Sequence, residues 1–165
     1  MRQLAVRLLV LPLAVLGVLT MQLSALAHYV YEGPRTLKKW GAYCTDGRSE
    51  ASHGSQGVGY AKTDVHSRAL NGGPCNVSWS QPAGRLAAQT TWYKWSGSSW
   101  YICYSSEYAF STSQSSKLVK ATNFTGSTPY CGDGFYGNTG HAFVLDGGGT
   151  WQGDGIWSGY HTLPA

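Results

Sequence analysis

Beyond residue 27 the apolar residues fall into short runs broken by glycine-rich turns, and no stretch keeps a helical period over a useful length. This pattern predicts an all-β protein, a small antiparallel sandwich or partly open barrel. The clearest strands are 86–95 and 99–106, joined across Ser96-Gly97-Ser98, where glycine supplies the positive φ of a tight hairpin. Residues 117–124 follow as another strand, and 140–146 with 150–157 make a second hairpin around Gly147-Gly148-Gly149. Residues 35–43 fit either a short helix or a strand. Residues 45–59, with four glycines, three serines and no bulky apolar residue before Val58, read as a long polar loop.

Alternation inside the first hairpin bears on function, because successive strand side chains point to opposite faces. One face of 86–95 holds Leu86, Ala88, Thr90, Trp92 and Lys94; the other holds Ala87, Gln89, Thr91, Tyr93 and Trp95. Both faces carry large rings, so the sheet either is enclosed between layers or leaves rings in solvent. Enclosure is the first expectation, since Leu and Ile are scarce and something must fill the core. Exposure is the condition for a binding platform, because flat rings suit the apolar faces of sugars. The candidate ligand-binding residues are then Trp92, Trp95, Trp100, Trp151 and Trp157.

The segment before residue 28 changes the composition that matters. Arg2 and Arg7, an apolar run over 8–19 and Ala25-Leu26-Ala27 form the pattern of a secretory signal peptide cleaved after Ala27. An uncleaved membrane anchor is the alternative, but Pro12, Gly17, Gln22 and Ser24 interrupt the run and no basic cluster precedes Arg35. The expected organisation is a signal peptide over 1–27 and a single secreted, extracellular β domain over 28–165, free of the membrane after cleavage. Without Arg2 and Arg7, ten Lys and Arg stand against eight Asp and Glu, a net charge of +2. That is too small and scattered for a nucleic-acid footprint.

Cys44, Cys75, Cys103 and Cys131 all fall in the exported part, and an even count in an oxidising compartment predicts two disulfides. Their wide spacing excludes the close pairs of zinc and redox motifs. Three pairings exist; joining 44 with 75 and 103 with 131 is preferred, because each bond then closes a loop within one half of the chain.

Catalytic chemistry has candidates but no signature. His141, ahead of Asp146, is the most plausible single catalytic imidazole, with no nucleophile elbow or metalloprotease helix beside it. Asp133, Asp146 and Asp154 each precede glycine, a turn signal first and a calcium-ligand pattern second; no metal or other cofactor is expected.

The runs PAGRLA (82–87), WYKWSGSSWYIC (92–103), PYCGDGFYG (129–137) and WSGYHTLP (157–164) resemble a group of small secreted actinobacterial proteins. The resemblance implies export and a compact, disulfide-stapled β domain, and carries no catalytic residue with it. Three functions follow in order: a non-enzymatic binding module for glycan or cell-wall polymer, an extracellular protein-interaction factor or enzyme inhibitor presenting 45–59, and a small hydrolase centred on His141.

Overall fold

A computed structural model describes residues 29–53, 59–124 and 131–163, so the signal-peptide pattern of 1–27 lies outside the described residues. Among the described residues, antiparallel strands form two five-stranded sheets packed face to face. The first sheet runs β1 (Tyr29–Trp40), β2 (Tyr43–His53) and β3 (Gly59–Leu70). The free edge of β3 is shared end to end by β4 (Cys75–Ser78) and, in a return from later in the chain, β8 (Lys117–Phe124). In the second sheet β5 (Leu86–Trp95) pairs with β9 (Gly134–Leu145), which pairs with β10 (Trp151–Leu163). The other edge of β5 is shared by β6 (Trp100–Ser105) and β7 (Ala109–Phe110).

The all-β sandwich is therefore as the sequence predicts, and 86–95 and 117–124 are strands at the expected bounds. The hairpin turns where expected, with Gly97 at φ 99° and the Ser96 N–H bonded to the Ser99 carbonyl. Residues 35–43 resolve as strand, broken by a turn at Gly41 and Ala42.

The loop expected over 45–59 is corrected. Residues 45–53 belong to β2, an interior strand paired on both sides, and only 54–58 lie outside the described residues. Its alternation is present but disguised: Thr45, Gly47, Ser49 and Ala51 face the other sheet, and all four are buried. Small polar side chains replace the aliphatics that normally announce a buried face.

The reason is a close approach of the two sheets. Ser49 Oγ donates to the Asn138 carbonyl (3.0 Å), and Asn138 Nδ2 donates to Ser49 Oγ (3.0 Å) and to the Glu50 and Lys62 carbonyls (3.2 Å each). Thr63 Oγ1 likewise reaches the Gln89 carbonyl (2.9 Å). Gly140 is required between them, since a Cβ there would stand 2.7 Å from Thr63 Oγ1. Apolar packing flanks this polar seam. Ala51, Ala61, Trp92 and Tyr136 fill one end, and Val65, Leu86, Ala88, Ala142 and Val144 the other.

The disulfides pair Cys44 with Cys75 and Cys103 with Cys131, a usage typical of extracellular proteins. The second bond packs against the Trp92 and Tyr136 cluster, and it ties β6 to the segment that leads into β9. That segment is held further by Lys94 Nζ on the Cys131 carbonyl and the Tyr136 hydroxyl on the Gly132 carbonyl.

Candidate ligand-binding face

The sandwich turns two very different faces to solvent. Outward on the first sheet, β2 carries Asp46, Arg48 and Glu50, and β3 carries Lys62, Asp64, His66 and Arg68, with Lys117 beside them on β8. These charges alternate in sign and pair across strands, Lys62 with Glu50 (3.6 Å), Arg68 with Asp46 (3.6 Å) and Lys117 with Asp64 (3.6 Å), and along β3, Lys62 with Asp64 (3.7 Å). The basic stems lie over the carboxylates, leaving Asp46, Glu50 and Asp64 buried. Burial pushes the Glu50 carboxyl above its ordinary value despite Lys62 and Arg48. It pushes the His66 imidazole down, helped by Arg68 and Lys117.

Outward on the second sheet the register brings together a different set. From β9 come Phe135, Gly137, Thr139, His141 and Phe143; from β5 come Ala87, Gln89, Thr91, Tyr93 and Trp95. The edge strands add Trp151, Gly153, Gly155, Trp157 and Tyr160 on one side and Trp100, Ile102 and Phe110 on the other. None of these positions is Lys, Arg, Asp or Glu.

The rings gather at the two ends of this face. At one end Ala87, Tyr108, Phe110, Phe143 and Trp151 line an open cleft of about 290 Å³, with Phe110 and Trp151 centroids 5.9 Å apart. At the other, Trp95, Trp100, Phe135 and Tyr160 line a second of about 320 Å³. Each is near the lower limit of ordinary ligand pockets, about 300 Å³. Trp100 is the hub of the second cleft, 5.4 Å from Trp95, 5.1 Å from Trp157 and 6.2 Å from Tyr160.

Glycines let rings lie down on the sheet instead of standing off it. A Cβ on Gly137 would come within 2.3 Å of the Trp157 ring, and one on Gly153 within 2.7 Å of the Phe143 ring. The result is a low surface flanked by rings, with His141 near its middle. Burial holds the His141 imidazole below its ordinary value of 6.5, against a weaker pull from Asp154, so it is neutral at pH 7.

No protein-family model, curated protein or solved structure matches the chain. The face has to be interpreted from its own chemistry.

Four of the five tryptophans singled out from the sequence, Trp95, Trp100, Trp151 and Trp157, share this outward face. Trp92 does not: it is 1 % exposed, stacked on Tyr136 at 5.3 Å between the sheets, and is a core residue. The enclosed and exposed arrangements weighed for the rings both occur, one on each face of β5. His141 and Asp146 are not a catalytic pair. Five strand residues, about 16 Å, separate them. The Asp146 carboxylate accepts from the Gly148 N–H (2.9 Å), the Thr150 N–H (2.8 Å) and Gln152 Nε2 (2.9 Å), which makes it a turn residue. No carboxylate or hydroxyl hydrogen-bonds the His141 ring among the described residues.

Phe135, Tyr160, Tyr108, Phe110 and Phe143 line the clefts and went unrecognised in the sequence. One signal for them was available. In 135–143 the odd positions read Phe, Gly, Thr, His, Phe and the even positions Tyr, Asn, Gly, Ala, so rings close off both ends of one face.

Proposed function

We propose that this chain is a secreted, non-enzymatic binding module that holds polysaccharide against the outward face of its second sheet. The observation that carries this reading is the grouping of Trp95, Trp100 and Trp151 with Phe and Tyr rings in two open clefts on one face, with Trp157 packed against Trp100 beside the second. Exposed aromatic rings gathered on one face, among them Trp100, Phe110, Phe135, Trp151 and Tyr160, are the kind of patch that serves as a contact surface. The C–H faces of a pyranose are apolar and slightly positive, and they complement the negative π-face of an aromatic ring. Thr139, Gln89 and the neutral His141 between the clefts supply hydrogen-bonding groups suited to hydroxyls. Export rests on the signal-peptide pattern of 1–27 and agrees with two disulfides.

Catalysis is the weaker reading because His141 has no nucleophile, acid or base within hydrogen-bond reach among the described residues. An inhibitor role built on a presented loop at 45–59 lost its main support when 45–53 proved to be an interior strand.

Affinity electrophoresis through gels containing soluble glucan, xylan or galactomannan, with co-sedimentation on cellulose, chitin and peptidoglycan, tests the proposal. At least one polymer is expected to retard the protein, and the Trp100→Ala/Trp151→Ala variant is expected to lose about tenfold or more in affinity, as for truncated aromatic anchors elsewhere. Absence of retention on every one of these polymers overturns it.

A further inference from the structure

Resting on that reading, we propose that the two clefts are subsites for one extended, uncharged polysaccharide chain that runs along the strands and crosses His141. The clefts lie on the same face of the same sheet, at opposite ends of the same strands. Ala87 pairs with Phe143 at the first, and Lys94, next to Trp95, pairs with Tyr136, next to Phe135, at the second. Eight residues separate Ala87 from Trp95 and Phe135 from Phe143, a distance of about 26 Å along an extended strand. A short oligosaccharide fills one cleft; only a longer chain reaches both.

The ground between them suits a chain lying across it. Two rings border the path near the second cleft: Trp157 lies over Gly137, and Tyr93 meets it edge-on with centroids 5.7 Å apart. Gln89 gives its amide nitrogen to the Ser106 carbonyl (2.8 Å) and keeps its oxygen as an acceptor. His141 is half-buried and forms no internal hydrogen bond among the described residues, so a ligand hydroxyl meets no competitor there.

Charge decides the class of polymer. Every outward strand position of this sheet is uncharged, whereas the opposite sheet crowds its ionic residues into cross-strand pairs. An anionic chain, such as a uronate or a phosphate polymer, would surrender water over the rings and find no cation to pair with, a cost that neutral sugars escape. Among the described residues a polycation would meet a single carboxylate, Asp154 near His141, too little to hold a run of positive charges.

The test uses two ladders of neutral linear sugars, cello-oligosaccharides and N-acetylated chito-oligosaccharides, titrated against the full exported chain by tryptophan fluorescence and calorimetry. Carboxymethylated and unmodified forms of the same long polymer are compared beside them. The expected result is weak binding of short members and a rise of about a hundredfold or more once the chain reaches both clefts, as for linked binding sites in general. Trp151→Ala and Tyr160→Ala are each expected to abolish the rise while leaving short-chain binding at the other cleft. The wild-type ladder needs no variant to fold. Short members binding as tightly as long ones overturn the two-subsite proposal but leave glycan binding standing, and equal affinity for the carboxymethylated polymer overturns the neutral class. Failure of every neutral sugar to bind overturns the underlying reading instead.

Discussion

At the scale of single residues, neighbouring tryptophans of one strand have opposite fates. Trp92 faces inward onto Tyr136, while Trp95 faces outward beside Trp100. Trp92→Ala is therefore expected to cost about 3 to 5 kcal/mol of stability, as for other buried large aromatics. Trp151→Ala is expected to cost under about 1 kcal/mol and to act on ligand binding. Urea melts of both variants check the contrast, and similar losses in the two would contradict the assignment of faces. The histidines set a pH dependence. His66 and His141 both have folded-state values below 6.5, chiefly through burial, so the unfolded chain takes up their protons first. Their contribution to stability is full above pH 6.5 and is lost as pH falls from there toward the folded values. Glu50, raised by burial, slopes the opposite way above pH 4.5. The His66→Asn/His141→Asn variant should accordingly show a flatter melting temperature than wild type from pH 7 downward, and an unchanged slope would count against both burial assignments.

Strands are the scale at which the site is assembled. β9 pairs with β5 on one side and β10 on the other, so its glycines determine how low the neighbouring rings lie. Gly137→Ala places a methyl group against the Trp157 ring and the Gly159 carbonyl. The expected outcome is a loss of about 1 to 3 kcal/mol, as for other overpacked sites, together with weaker binding at the cleft around Trp100. Denaturation and short-oligosaccharide titration read the two effects separately; wild-type binding at that cleft would show that the Trp157 ring's position is irrelevant. The strands also show what pattern reading captures. The hairpin of β5 and β6 was legible because bulky residues alternate with polar ones and glycine sits at the turn. β2 reads as a loop because its buried positions are Thr, Gly, Ser and Ala, small residues that only a close facing sheet makes appropriate. The clefts were partly legible: four tryptophans were identified, but the Phe and Tyr residues beside them come from strands far apart in sequence.

For the whole molecule, the disulfides divide the labour. Cys44–Cys75 joins β2 to the start of β4, and Cys103–Cys131 joins the strand bearing Trp100 to the approach to Phe135. With separations of 31 and 28 residues, each is expected to contribute about 3.6 kcal/mol by restricting the unfolded chain. Cys103→Ser/Cys131→Ser should lower both the urea midpoint and the affinity for long glycans, whereas Cys44→Ser/Cys75→Ser should lower the midpoint alone; equal effects on binding would separate the second disulfide from the cleft. Sequence by itself determined the all-β class, the main hairpin, the cysteine inventory and the aromatic wealth of the chain, because period, turn chemistry and composition are local properties. It could not decide which face of β5 was interior, since rings occur on both and alternation has no sign of its own. Tertiary structure decided that through the first sheet, whose small residues come close enough for Ala51 and Ala61 to enclose Trp92 and which, among the described residues, has no counterpart over Trp95, Trp100, Trp151 and Trp157.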